Sequence, residues 1–177
     1  CIADKLYAWE GGTWALKNAW ITNTIIHQSG KKLSLLIAVI ILTLLIVSYL
    51  SQYLRQYRRE LVYLLLAAGG GSVLISAFKS ISHVSCVWDF SRYGGKLEYA
   101  SVYSQILNMS GDNCFPAGHA SGGYAWLAFY FLGVYKHSKW RWIGLGGALS
   151  VGLIFGFSQQ LRGAHFITHD LWTLAIC

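Results

Sequence analysis

Long runs of uncharged apolar residues constrain this chain more than any other feature of its sequence. The run from Leu33 to Leu50 is long enough to cross the ~30 Å hydrocarbon layer of a bilayer at about 1.5 Å per helical residue. Similar runs occupy 61–78, 117–135 and 142–160, and a further helix is expected from about residue 170. Only 12% of the residues are charged, about half the usual fraction in soluble domains. The sequence therefore predicts an all-α, polytopic transmembrane helical bundle.

Residues 1–32 are expected to form an extracytoplasmic interfacial segment with a short amphipathic helix, because Trp9, Trp14 and Trp20 alternate there with polar and charged residues. An ordinary loop is the alternative interpretation. Since the chain starts at Cys1 and stops inside an apolar stretch, we expect one helix before it and the rest of a last helix after it. We treat residues 1–177 as a single integral membrane domain.

The distribution of basic residues predicts which helix ends face the cytoplasm. The turns 51–60 and 136–141 are expected on one side, and they hold six basic residues and a single acid, Glu60. Short basic turns favour the cytoplasm, so segments 79–115 and 161–169 are expected to meet on the extracytoplasmic side. The net charge of +7 is explained by this topology. No basic run with interleaved aromatic residues indicates a nucleic-acid partner.

The segment Cys114-Phe-Pro-Ala-Gly-His119 opens the third apolar run. Pro116 suits the first turn of a helix, where its missing N–H costs nothing, and Gly118 lets the backbone approach a ligand. The free N–H groups of a first helical turn bind anions, and His119 could give a proton to a departing oxygen there. A plain helix cap with an interfacial histidine is the alternative.

A second polar cluster, from Gln159 to Asp170, ends the fourth apolar run with an arginine, two histidines and a carboxylate. Ionisable groups at the end of a membrane helix are costly unless they pair or function. A neutral imidazole can attack phosphorus if a neighbour holds its tautomer and stabilises the imidazolium. Arg162 can bind phosphate oxygens in a bidentate manner, and Lys79 ends the second run on the same side. If their side chains snorkel toward the membrane surface, the positions of Arg162 and Lys79 are each explained, but those of the two histidines are not.

Taken in order, these pieces resemble the type-2 phosphatidic acid phosphatase family, whose pattern is K-x6-R-P, then P-S-G-H, then S-R-x5-H-x3-D. Lys79 matches the first lysine, Pro116-Ala117-Gly118-His119 matches the second motif, and the third motif matches around His165. The resemblance covers most of residues 33–170 and implies a fold of six helices, with the first and last truncated here.

The chain departs from the family pattern at several positions. Ala117 replaces serine, Cys86-Val87 replaces Arg-Pro, and Gln159 replaces the arginine six residues before His165. His169 occupies the position of the family's aspartate, and Asp170 follows it.

The resemblance implies that His165 is the nucleophile, forming a phosphohistidine, and that His119 is the general acid. The orienting role is divided between His169 and Asp170, and we favour Asp170 because a carboxylate stabilises an imidazolium better than a second imidazole does. The expected phosphate-binding residues are Lys79, Arg162, Gly118 and Gln159. No metal or other cofactor is required, since fixed cations and N–H groups meet the transition-state charge.

Cys86 and Cys114 both lie in the predicted extracytoplasmic segment, where disulfides form. A bond between them would tie the loop after Lys79 to the second motif. A zinc site is the rival interpretation, because His83, Cys86, Cys114 and His119 offer four ligands with plausible spacing. Zinc would consume the proposed general acid. Free thiols are the third possibility.

The sequence therefore predicts an enzyme: a membrane lipid phosphatase that hydrolyses a phosphomonoester or diphosphate at the extracytoplasmic face, in a bacterial inner membrane. Its expected partners are a lipid phosphate substrate and the surrounding membrane lipids. The candidate substrates are polyprenyl diphosphate, phosphatidylglycerol phosphate, phosphatidic acid and lipid A phosphate. The alternatives are a lipid-to-lipid phosphotransferase of the same fold, or a non-catalytic membrane scaffold or lipid-binding protein with a degraded site.

Overall fold

Helices make up most of the chain in a computed structural model, which describes residues 1–109 and 111–177 apart from the side chain of Lys31. The all-α prediction is confirmed. The α-helices in chain order are α1 (Ile2–Trp9), α2 (Ser29–Leu50), α3 (Arg58–Ser82), α4 (Val102–Asn108), α5 (Ser121–Tyr124), α6 (Ala128–Tyr135), α7 (Arg141–Leu161) and α8 (Ile167–Ile176). A π-helix, Ile21–Gln28, runs directly into α2.

Three helical stretches are long and apolar enough to cross a membrane: Ile21–Leu50, Leu54–Ser82 and Arg141–Leu161. They contain the runs predicted at 33–50, 61–78 and 142–160. The first begins earlier than expected, because the π-helix continues α2 through polar residues. Residues 21–32 therefore belong to the first long helix rather than to a separate interfacial segment. The six-helix arrangement stays a prediction.

The predicted span 117–135 is not a continuous helix. Its helical part consists of α5, a 3₁₀ turn at Ala125–Leu127, and α6. From Ser121 to Tyr135 this covers about 22 Å, less than the ~30 Å hydrocarbon layer. Pro116 is not in a helix either, so the prediction that it opens the helical first turn is wrong. Phe115 and Ala117 instead form hydrogen bonds with α3 and α8, as described below.

A face of small residues on α7 brings α5 and α8 close to it. The predicted face of Ala148, Gly152 and Gly156 is buried, which confirms it. A Cβ on Gly152 would collide with the Tyr124 ring of α5, and one on Gly156 with the Asp170 carboxylate of α8. The absence of these side chains lets α5 and α8 approach the same stretch of α7.

The polar segments collect at two opposite ends of the bundle. At one end, Lys136 forms an ion pair with Glu60 and so joins the turn after α6 to the start of α3. At the other end, the backbone N–H of Cys114 donates to Val84 at 2.8 Å, and that of Trp88 donates to Gly163 at 2.9 Å. The loop after α3 therefore meets the turn between α7 and α8.

Candidate active site

His165 lies in the turn between α7 and α8, and only 3% of it is exposed. The turn closes through a hydrogen bond from the Ala164 N–H to the Gln159 carbonyl at 2.9 Å. Gly163 has a φ of 70°, in the left-handed region that glycine adopts without strain, and a Cβ there would strike the ring of Trp14. Trp14 therefore packs closely against the turn that carries His165.

His169 contacts His165 directly. Their Nδ1 atoms are 3.5 Å apart, and His169 is fully buried in the first turn of α8. Asp170 points elsewhere, because neighbouring residues on a helix are about 100° apart around its axis. Its Oδ2 accepts a hydrogen bond from Gln160 Nε2 at 2.5 Å, and its carboxylate packs on Gly156. The structure thus brings His169, and not the favoured candidate Asp170, into contact with His165, while the orienting role itself stays a prediction.

Lys79 and the second motif converge on the same place. Lys79 lies in the last turn of α3, and its Nζ is 3.7 Å from the position that a Cβ would take on Gly118. A Cβ at position 118 would be in ordinary van der Waals contact with the ammonium group, so the two residues are neighbours. Burial lowers the pKa of His165 well below its usual range, and the charges of His169, Lys79 and His119 act in the same direction. The imidazole is thus held neutral beside a fixed cation.

Hydrogen bonds join the second motif to α8. The Ala117 N–H donates to the His169 carbonyl at 3.4 Å, and Thr173 Oγ1 donates to the Ala117 carbonyl at 3.2 Å. The hydroxyl of Ser82, at the end of α3, donates to the carbonyl of Phe115. The Phe115 ring also packs edge-on against His169 at a centroid distance of 5.3 Å. These contacts explain why residues 115–117 leave helical geometry.

Arg162 and Gln159 act as a pair. Arg162 donates from Nη1 to Gln159 Oε1 at 3.2 Å, and from Nε to the Lys17 carbonyl at 2.8 Å. A guanidinium only donates, so it turns the amide oxygen of Gln159 toward itself. The buried Nε2 of Gln159 then has no hydrogen-bond partner within residues 1–109 and 111–177. Of the two predicted phosphate ligands, Gln159 thus presents a buried donor, while Arg162 is engaged with the protein.

The structure adds one residue to the site that the sequence interpretation missed. His27, in the π-helix before α2, packs its ring against that of His119 at a centroid distance of 4.0 Å. The two histidines, with Gln159 and Phe155, surround a small cavity of about 10 Å³. Nothing local in the sequence distinguishes His27, because its position depends on how the start of α2 packs against α7.

Cys86 and Cys114 form a disulfide, with their Cα atoms 5.2 Å apart. The bond joins the loop after α3 to the residue two before Pro116. Disulfide sulfurs are not thiolates, so the four-ligand zinc site does not form with these cysteines. Within the described ranges 1–109 and 111–177, no group of three or more histidine, cysteine and carboxylate side chains is arranged to hold a metal ion.

Comparison with known protein families, curated proteins and solved structures finds no match for this chain. What the site can do follows from its own residues. It combines a buried neutral imidazole, a second imidazole in contact with it, an ammonium group and a buried amide donor. Such a set can bind a phosphate anion and offer it a nitrogen nucleophile.

Proposed function

We propose that the chain is a membrane lipid phosphatase that removes phosphate from a lipid through a phosphohistidine on His165. The observation that carries the proposal is the convergence of Lys79, Gly118-His119 and His165, which come from three separate parts of the sequence. The resemblance to the type-2 phosphatidic acid phosphatase family supports the same assignment, because these residues match its three motifs in order.

The surroundings of His165 suit a nucleophile. An imidazole attacks only when neutral, and burial together with the nearby Lys79 keeps it so. If Nδ1 of His165 carries the proton toward His169, the lone pair of Nε2 is left for phosphorus. The imidazolium that develops on attack can then donate its Nδ1 proton in a hydrogen bond to the neutral second imidazole. The 3.5 Å separation is long for a hydrogen bond, as catalytic contacts often are before substrate binds.

The remaining residues serve the leaving group and the phosphate. As the bond from His165 to phosphorus forms, the bond to the lipid oxygen breaks, and His119 gives that oxygen its proton. Water then attacks the phosphohistidine and returns a proton to His119, so that each turnover consumes one water and releases inorganic phosphate. Lys79 would offset the charge of the equatorial phosphate oxygens, and Nε2 of Gln159 would donate a hydrogen bond to one of them.

The position of these residues relative to the long helices supports a lipid substrate. The second and third membrane-length stretches end at Ser82 and Leu161, within one turn of Lys79 and His165. A phosphate bound there would lie at the depth of lipid head groups, while the rest of the lipid stays in the bilayer.

The test is phosphate release from a panel of lipid phosphates by the purified chain in detergent, with EDTA present throughout. The panel contains the four candidate lipids, and a second acceptor lipid is included to detect transfer. Wild type is compared with His165→Ala, His119→Ala and, as a matched control, His137→Asn at the opposite end of the bundle.

We expect EDTA-resistant release that falls by at least about 10³-fold in both site variants and is unchanged in the control. Acid-labile, base-stable labelling by ³²P should disappear in His165→Ala. Transfer to the acceptor lipid in preference to water would indicate the phosphotransferase. Release abolished by EDTA, or no turnover of any lipid, would contradict the proposal and favour the scaffold.

A further inference from the structure

A basic cavity lies at the end of the bundle opposite to the candidate active site. Its volume is about 980 Å³, and it is enclosed by the turn after α2, the start of α3 and the end of α6. Four cations and one carboxylate line it: Arg55, Arg58, Arg59, Lys136 and Glu60. The cavity therefore has a formal excess of three positive charges.

Two of these cations are committed to the protein and two are not. Arg58 donates to the Ser48 carbonyl at 2.6 Å and stacks over the Tyr49 ring, while Lys136 pairs with Glu60. The side chains of Arg55 and Arg59 take part in no hydrogen bond or ion pair within the part of the chain that the structure describes. Their guanidinium groups are available to an anion.

An apolar groove adjoins the basic cavity and extends along the helices. Its volume is about 710 Å³, and it lies between α2 on one side and the α5–α6 segment and α7 on the other. Leu33, Ile37, Phe129 and Ile143 form much of its wall. The groove and the cavity share Glu60, Leu132 and Lys136, so they meet at the ion pair.

We propose that the cavity and the groove together bind one anionic phospholipid from the leaflet opposite to the active site. Its phosphate would lie between Arg55 and Arg59, and one hydrocarbon chain would fill the groove. The excess positive charge selects an anionic head group, and the adjoining groove distinguishes a lipid from a water-soluble phosphate. The short basic turns predict that this end of the bundle faces the cytoplasm. The cytoplasmic leaflet contains anionic lipids, which match the positive charge of the cavity. The proposal does not rest on the phosphatase activity.

The test measures lipid binding by native mass spectrometry of the full chain, delipidated in detergent. Phosphatidylglycerol and phosphatidylcholine with identical chains are titrated separately. We expect one molecule of phosphatidylglycerol to bind at least about tenfold more tightly than phosphatidylcholine. The variant Arg55→Gln/Arg59→Gln should weaken phosphatidylglycerol binding by roughly fivefold for each charge removed. The control variant Lys139→Gln/Lys96→Gln removes two positive charges outside the cavity and should leave the affinity for phosphatidylglycerol unchanged.

A second pair of variants tests the groove. A Cβ on either Gly146 or Gly147 would meet nothing within 4 Å, but only Gly147 lines the groove. Gly147→Leu should therefore weaken phosphatidylglycerol binding at least about tenfold, while Gly146→Leu should not. Thermal unfolding of all four variants checks that they fold.

Three results would overturn the proposal. One is equal affinity for phosphatidylglycerol and phosphatidylcholine. Another is a loss of phosphatidylglycerol affinity in the control variants that equals the loss in the cavity and groove variants. The third is displacement of phosphatidylglycerol by millimolar glycerol phosphate, which would indicate a site for soluble anions.

Discussion

The Nδ1 atoms of His165 and His169 face each other at 3.5 Å inside the protein, and both rings are almost completely buried. The contact pairs two imidazoles, whereas the motif H-x3-D of the type-2 phosphatidic acid phosphatase pattern supplies an imidazole and a carboxylate. An imidazole can fix the tautomer of its neighbour as a carboxylate does, but it carries no negative charge to stabilise the imidazolium. The neighbouring carboxylate, Asp170, is turned toward Gln160 instead.

This geometry predicts different effects for the two residues. His169→Ala should lower kcat by about 10²-fold or more, because His165 loses the contact that orients it. Asp170→Asn should lower kcat much less, but should reduce the free energy of unfolding by about 1–3 kcal/mol through its buried bond with Gln160. Steady-state rates and thermal unfolding of both variants are the measurements. A larger kcat loss in Asp170→Asn than in His169→Ala would return the orienting role to Asp170.

The depressed pKa of His165 predicts how stability depends on pH. Unfolded histidine binds a proton near pH 6.5, whereas the buried His165 does so only at a lower pH. Below about pH 6.5 the unfolded state therefore binds more protons, and stability falls as the pH falls. We expect His165→Gln to flatten this slope of the apparent Tm below about pH 6.5. The exposed-histidine variant His137→Asn should keep the wild-type slope, and an unchanged slope in His165→Gln would show that other groups cause it.

Gln159 is predicted to contribute a hydrogen-bond donor to bound phosphate. Gln159→Glu keeps an oxygen for Arg162 Nη1 but replaces the Nε2 donor with a second oxygen that repels phosphate. Activity should therefore drop by about 10²-fold, with thermal stability close to that of wild type. Gln159→Leu should lose activity and also stability, because Arg162 is left without its buried acceptor. Unaltered kcat/KM in the Glu variant would remove Gln159 from the phosphate site.

The disulfide between Cys86 and Cys114 is predicted to hold the second motif in place. The bond closes a loop with a sequence separation of 28, which corresponds to about 3.5 kcal/mol of stabilisation. Cys86→Ser/Cys114→Ser should therefore lower the Tm and the activity, and should make the protein insensitive to reducing agents. Cys1→Ser/Cys177→Ser serves as the control, since these cysteines are free thiols. If reduction of wild type alters neither Tm nor activity, the bond does not support the site.

Much of this architecture could be predicted because it follows from local patterns. Of the four uncharged runs predicted as spans, three lie in long helices, and four-residue spacing predicted the packing face at Ala148, Gly152 and Gly156. The sequence also placed Lys79, His119 and His165 on one side, because the intervening runs alternate in direction.

The rest depends on packing between distant segments. Whether His169 or Asp170 faces His165 is decided by the rotation of α8, which the bond from Thr173 to Ala117 holds. The break before α5 arises because Ala117 bonds to α8 instead of its own helix. Neither contact leaves a periodic signal in the sequence, since each joins residues more than fifty positions apart.

The position of His27 also depends on packing between distant segments, and this packing places its ring against that of His119. Two imidazoles with ring centroids 4.0 Å apart disfavour being protonated together. His27→Phe keeps an aromatic ring against His119 but removes the competing charge. The alkaline limb of kcat, which reports loss of the general acid's proton, should then move to higher pH. His27→Gln restores a neutral polar group and should give the same shift, whereas a purely structural role would lower kcat at every pH without moving the limb.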